Sequence, residues 1–215
     1  VIVIKVGSNI LVNDKHSLRK KWLGTLVSDV QKLRKKGSKV IIVSSGAIAL
    51  GRNILSKKKL TNLHEKQAAA SIGQIQLSQQ WQKAFAKKKI QSSQILITAE
   101  DLNERRKYLN IRNTVFSLMD LNVIPIINEN DTTSTEEIRF GDNDKLSAMI
   151  ANALSAELLI LLSDVNGLYT SNPKKSLDAK LITDVDEINQ DLEKFIDKDL
   201  SEFGSGGMLA KVNAA

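Results

Sequence analysis

Short, uninterrupted apolar runs alternate along the chain with longer stretches in which apolar residues recur every three or four positions. Residues 1–6 form a β-branched run closed by Gly7. Leu18, Trp22, Leu26, Val30 and Leu33 then share one face at helical spacing, and Gly37 after Lys35 and Lys36 supplies the stop. Residues 40–43 are a second apolar run, ended by Ser44, Ser45 and Gly46. The spacing predicts a helix over 65–86, where the small residues Ala68, Ala69 and Ala70 permit close packing. A third strand follows at 95–97, a helix at 110–121 and a fourth strand at 123–127 that contains Pro125. A helix at 144–154 and a fifth strand at 158–162 complete the pattern.

Strands that are apolar throughout, rather than alternating, are those buried on both faces, and helices between them provide the cover. The expected fold is therefore α/β, a three-layer αβα sandwich with a mainly parallel central sheet. No repeat or low-complexity linker divides the chain, so residues 1–215 are expected to be a single domain. The polar stretch 168–201 reads as a surface connection, flap or mobile insertion. Because the sequence starts at Val1 and ends in alanines, it is expected to be the trimmed core of a slightly longer protein.

Composition narrows the chemistry. With 215 residues the chain is long enough for a hydrophobic core. The absence of cysteine excludes disulfides, thiol catalysis and cysteine-ligated metals, and two histidines, His16 and His64, are too few for a histidine-rich metal site. No metal ligand set is expected. No apolar run approaches the roughly 20 residues that span a bilayer, and the first residues lack the basic segment and cleavage site of a signal peptide. The expectation is a soluble, cytoplasmic protein without a membrane partner. The net charge of +7 raises the question of nucleic acid. However, the lysines form short separate runs (Lys35-Lys36, 57–59, 87–89, Lys174-Lys175) and aromatics are 4 % of residues. Two of those runs stand where helices should end, which complements the helix dipole. This distribution argues against a nucleic-acid face and suits attraction of small anions.

In open parallel sheets, ligands bind beyond the carboxyl ends of the strands. Here those ends read Lys5-Val6-Gly7-Ser8-Asn9, Ser44-Ser45-Gly46-Ala47, Asn128-Glu129-Asn130-Asp131 and Ser163-Asp164-Val165-Asn166-Gly167. Two further polar loops run over 141–145 and 204–211. Glycine loops before helices can direct backbone N–H groups at phosphate oxygens. Neither a Walker A sequence nor a Gly-x-Gly-x-x-Gly opening is present, and no histidine adjoins a serine in a nucleophile elbow.

Taken in order, these clusters resemble those of the amino acid kinase family. Lys5-Val6-Gly7-Ser8 is similar to its opening motif, and Ser44-Ser45-Gly46-Ala47-Ile48 to its second glycine loop. Ser163-Asp164 with Gly167-Leu168-Tyr169, and Gly206-Gly207-Met208 with Lys211, complete the set over nearly the whole chain. The most specific part is Asn128-Glu129-Asn130-Asp131 followed by Gly141-Asp142-Asn143-Asp144, which resembles the members that phosphorylate glutamate. The resemblance implies transfer from ATP to the side-chain carboxylate of L-glutamate, the first step of proline biosynthesis. Such a nucleophile is ionised at neutral pH and needs no general base.

By the same resemblance, Lys5 and Lys211 are the catalytic cations at the moving phosphoryl group, and Asp144 holds both. The alternative for Asp144 is a helix N-cap. Ser45, Asp131 and Asn143, with Asn128 more weakly, match the glutamate-binding positions: Asp131 accepts from the α-ammonium, while Ser45 and Asn143 donate to a carboxylate. Lys5, Gly7, Gly46, Ser163, Asp164, Ser205, Gly206, Gly207, Met208, Leu209, Ala210 and Lys211 match the ATP-binding positions. Mg²⁺ is expected to ride on the nucleotide phosphates. Ala210 departs from the hydroxyl residue often found there, and Ser163 replaces a frequent threonine. Many bacterial relatives carry an additional RNA-binding-type domain, which a sequence of this length is not expected to contain. Family members are commonly dimers or tetramers, and proline is the feedback inhibitor the resemblance implies. The alternatives are an aspartate, acetylglutamate, carbamate or UMP kinase, a non-catalytic amino-acid sensor, or a basic nucleic-acid-binding module.

Overall fold

A computed structural model describes residues 1–56, 59–134, 143–171, 173, 176–186, 211–212 and 214. The elements follow in the order β1 (Ile2–Val6), α1 (Ser8–Leu11), α2 (Lys20–Lys35), β2 (Val40–Ser44), α3 (Ala47–Ile54), α4 (Leu63–Ala86), β3 (Ser92–Ile97), α5 (Ala99–Asn103), α6 (Arg105–Asp120), β4 (Ile124–Glu129), α7 (Asn143–Ala153), β5 (Leu158–Leu162), β6 (Leu168–Tyr169) and β7 (Leu181–Ile182). Five strands form one sheet in the order β3-β4-β2-β1-β5, and every pairing in it is parallel. All five carboxyl ends therefore meet on one edge. β6 and β7 pair antiparallel outside that sheet, within the stretch expected to be a surface connection.

The strand alternation splits the core in two. Ile4, Val6, Val40, Ile42, Ile124 and Ile126 face Leu23, Val27 and Val30 of α2, Leu50 of α3, and Leu77, Trp81 and Phe85 of α4. Val3, Ile41, Val43 and Ile127 face the opposite layer, made by Leu102 of α5, Val115 and Met119 of α6, and Leu146 and Ile150 of α7. This is the three-layer sandwich expected from the apolar runs. Lys5 shares its strand face with Val3, so its side chain emerges on the α7 side. Ser44 and Asn128 share theirs with Ile42 and Ile126, towards α4.

Pro125 lies inside an interior strand, where a missing N–H normally breaks a ladder. Ile124 donates its N–H to Gln91 on the β3 side, so residue 125 turns towards β2. Pairing between β2 and β4 starts only at Ile126, and no ladder bond is lost.

Three short helices escaped the hydropathy pattern: α1, α3 and α5. α3 crosses α4 at Gly51 and Gly73: a Cβ on Gly73 would stand 1.9 Å from the Ala47 carbonyl oxygen, and one on Gly51 1.7 Å from that of Ala69. The close approach expected from the three alanines is thus set by two glycines. Lys35 ends α2 with Lys36 as its cap, and Lys87 caps α4, in line with the expected place of these two lysine runs at helix ends. No described helix is long and apolar enough to cross a membrane.

Candidate active site at the carboxyl edge of the sheet

β1 delivers Lys5 to the carboxyl edge with only 6 % of its surface exposed. A buried ammonium is tolerable only beside a counter-charge. That charge is Asp144 in the first turn of α7, 3 % exposed, whose Oδ1 lies 2.6 Å from the Lys5 Nζ. The approach is off the hydrogen-bonding direction, so the contact is chiefly coulombic. Asp144 Oδ2 accepts from Lys211 Nζ at 3.2 Å. One carboxylate thus holds two ammonium groups from the two ends of the sequence. Since α7 begins at Asn143, Asp144 stands within the helix, and its side chain faces the lysines rather than capping the backbone.

The preceding residue serves the neighbouring strands. Asn143 Nδ2 lies 2.8 Å from the Ser44 carbonyl, 2.9 Å from Ser45 Oγ and 2.8 Å from Asn128 Oδ1. Asn143 is 2 % exposed, and its Oδ1 has no partner among the described residues. This alters the chemistry expected of it: its N–H groups are already spent, and the atom left for a ligand is an acceptor. Ser45 Oγ accepts from Asn143, which leaves its own proton for donation. Gly46 adopts φ +111°, a left-handed conformation suited to glycine, and the chain turns there into α3.

Asp131 follows β4 in a turn. It is 8 % exposed, and burial pushes its carboxyl group up to about 6. Ser134, from the same turn, is tied to α4 by Gln67, whose Nε2 donates to the Ser134 carbonyl at 3.2 Å. A carboxylate taken out of water without a cation is a standing cost, and an arriving ammonium group offsets it.

On the other side of Lys5, β5 ends beside β1, with Val6 in register with Leu162. A Cβ on Gly7 would meet the Leu162 carbonyl oxygen at 3.3 Å and the Lys5 Nζ at 3.9 Å, so glycine keeps the space over the lysine open. Ser163 Oγ donates to Asp164 Oδ1 at 3.4 Å at that strand end. Ser205, Gly206, Gly207, Met208, Leu209 and Ala210, and the motif residues Gly141 and Asp142, lie outside the described residues. The histidines stay apart from this chemistry: exposed His64 pairs through Nδ1 with Gln67 Oε1, and His16 sits in a turn.

The amino acid kinase family model matches residues 1–215. The chain belongs to the amino acid kinase family. It is 50 % identical over 216 residues to a protein of Pelagibacter ubique (strain HTCC1062) named glutamate 5-kinase, covering 100 % of this chain and 59 % of that relative. It is 46 % identical over 215 residues to the glutamate 5-kinase of Paramagnetospirillum magneticum, covering 100 % of this chain and 58 % of the relative. The chain thus spans somewhat under two thirds of these relatives' length. Among solved structures it is similar to isopentenyl phosphate kinase, with a TM-score of 0.63 at 18 % identity, over 92 % of this chain and 83 % of that one. That likeness concerns the fold.

Three further residues support this cluster in roles that the sequence does not mark. Ser44 supplies a carbonyl to Asn143 and a hydroxyl that accepts from Trp81 Nε1 at 2.9 Å. Gln74 accepts from Asn128 Nδ2 at 2.7 Å. Ser44 lies within a recognised motif, whereas Gln74 and Trp81 carry no local signal on a helix rich in glutamine.

Proposed function

We propose that this chain carries the kinase activity that transfers the γ-phosphoryl group of ATP to the side-chain carboxylate of L-glutamate, giving glutamyl 5-phosphate and ADP. The observation that carries the reading is Asp144 bridging Lys5 and Lys211 at the carboxyl edge of the sheet. Two cations on one carboxylate leave a net positive charge where the transferring group must sit. In the step, a carboxylate oxygen bonds to the γ-phosphorus as the bond to the β-phosphate bridging oxygen breaks, and ADP leaves with that electron pair. The nucleophile is already an anion, so the lysines' task is to offset its repulsion from the triphosphate and the charge on the moving group.

The glutamate-kinase names of the relatives support glutamate as acceptor, as does Asp131, buried with no cation against it among the described residues. Asp131 and Asn143 Oδ1 would take the α-ammonium, and Ser45 would donate to a carboxylate. Asn128 would hold Asn143. Lys5, Gly7, Gly46, Ser163, Asp164 and the 205–211 segment would bind ATP. Mg²⁺ would travel on the nucleotide: among the described residues no three His, Cys, Asp or Glu side chains converge to hold a metal, and two lysines around one aspartate suit phosphate better than a divalent cation. Residues 1–215 would act as one kinase domain in the cytoplasm, at the first step of proline biosynthesis. Proline, which carries the same α-carboxylate and an ammonium group, would compete for the glutamate positions. A homo-oligomer, dimer or tetramer, is also proposed; support comes from α4, where Ile75 is 75 % exposed beside the edge strand β3.

The test is direct. The protein is incubated with MgATP, hydroxylamine and, separately, glutamate, aspartate, acetylglutamate, carbamate or UMP. Glutamyl hydroxamate forming with stoichiometric ADP is the expected result. Turnover confined to another acceptor would reassign the substrate, and binding without turnover would make the chain a sensor.

A further inference from the structure

We propose that Gln74 is a positioning residue for recognition of the substrate's amino group, acting through Asn128 on Asn143. The inference rests on the glutamate-kinase reading and adds a specificity determinant to it.

The three amides form a chain with a single direction. Asn128 Oδ1 accepts the backbone N–H of Glu129 at 2.9 Å, and a backbone N–H can only donate, so this amide's orientation is set. The Asn128 Nδ2 therefore points at Gln74, whose Oε1 accepts it at 2.7 Å. Gln74 is itself oriented: its Nε2 donates to Ser78 Oγ at 3.4 Å, one turn along α4. At the other end Asn128 Oδ1 accepts from Asn143 Nδ2, which also faces the Ser44 carbonyl. Each amide nitrogen in the chain is engaged, and one acceptor, the buried Asn143 Oδ1, is left over. A lone buried acceptor at the carboxyl edge of the sheet is suited to a ligand that donates, and the donor on an amino acid is its ammonium group.

Gln74 stabilises this arrangement from outside the site. It lines a cavity of about 370 Å³ between α4, β3 and β4 and touches none of Lys5, Asp144 or Lys211 through any bond the structure gives. Without an acceptor at position 74, Asn128 Nδ2 becomes a buried donor with no partner, since Asn128 is 3 % exposed. Turning that amide over to relieve it would set Nδ2 against Asn143 Nδ2, donor against donor, and displace the Asn143 oxygen.

The experiment compares Gln74→Met, which keeps length and removes the acceptor, with Gln74→Glu, which keeps the acceptor, in the full chain. Steady-state constants are measured for ATP, for L-glutamate and for glutarate, the same diacid without an amino group. Gln74→Met should raise the glutamate KM about tenfold, the scale of one buried hydrogen bond, with kcat and the ATP KM within about threefold of wild type. Its preference for glutamate over glutarate should fall by a similar factor, and Gln74→Glu should restore both. An unchanged glutamate KM in Gln74→Met, equal losses in both variants, or a loss shared by glutarate and ATP would each overturn the proposal. If Gln74→Met does not fold, Gln74→Lys, which places a donor at the same point, gives the same readouts. Wild-type protein that forms no glutamyl phosphate would instead overturn the kinase reading beneath it.

Discussion

Asp144 answers to two ammonium groups, and this makes the lysines separable by mutation. In Lys5→Ala, Asp144 keeps Lys211 as its partner, so the carboxylate is not left alone. The fold should survive while the charge on the moving phosphoryl group is reduced. We expect kcat to fall by about 10²–10³-fold with little change in glutamate KM, because that charge matters most in the transition state; steady-state kinetics of the variant decide it. Asp131 gives a pH prediction. Burial raises its carboxyl group from 3.8 to about 6, so glutamate KM should climb as pH drops below about 6 and the acceptor for the ammonium is protonated. Asp131→Asn should flatten that profile while binding glutamate poorly. For the ligand-free fold the sign is opposite to that of a salt-bridged acid. Asp131 favours folding below its unfolded value of 3.8, and that contribution is lost as pH rises through about 6. Asp131→Asn should therefore be more stable than wild type at pH 7.5, by up to roughly 3 kcal/mol, and lose the advantage near pH 4. Thermal unfolding at the two pH values measures it.

At the level of elements, the glycines of α3 and α4 contrast with that of α2. Gly73→Ala would push a methyl group against backbone of α3, which cannot rotate away, so a loss of about 3 kcal/mol or more is expected. Gly24, exposed inside α2, has open space where a methyl group would stand, with nothing within 4 Å. Gly24→Ala should raise stability by about 0.5–1 kcal/mol. Denaturant unfolding of the pair tests both signs. The same elements show what was legible. The five strands were readable from their apolar runs, most clearly in β2, where Val40, Ile41, Ile42 and Val43 are buried on both faces. β3 and β4 extend beyond their apolar runs: β3 starts at polar Ser92 on the sheet edge, and β4 continues through Asn128, whose side chain holds Asn143, and Glu129. α3 was hidden because its glycine and few turns give no sustained period, although Gly51 is what lets it seat against α4.

Over the whole molecule, the site is assembled from β1, β2, β4, α7 and Lys211, segments far apart in sequence. Ligands that span these parts hold the sheet edge together. L-Glutamate with a non-hydrolysable ATP analogue, each at about 100 times its Kd, should stabilise the fold by about 2.7 kcal/mol per independent ligand, or on the order of 5–10 °C each in Tm. A thermal scan with no shift would contradict the substrate assignment. This convergence explains the limits of the sequence. Lys5, Asp144 and Lys211 could be named only by resemblance, since nothing in their spacing says that they meet. The resemblance assigned Asn143 a donor role, but which of its amide atoms remained free depended on the Ser44 carbonyl and Asn128, partners visible only once the strands are side by side.

The bond from the Trp81 indole to the Ser44 hydroxyl gives the protein an internal optical reporter. Trp81 is wholly buried, stacked 5.9 Å from Phe85, and its N–H ends on a residue whose carbonyl holds Asn143. Occupation of the site that shifts the Ser44 peptide would change the polarity sensed by the ring, so the emission spectrum of the unlabelled protein should follow titration with amino acid. Trp81→Phe would silence that signal and leave the emission of Trp22.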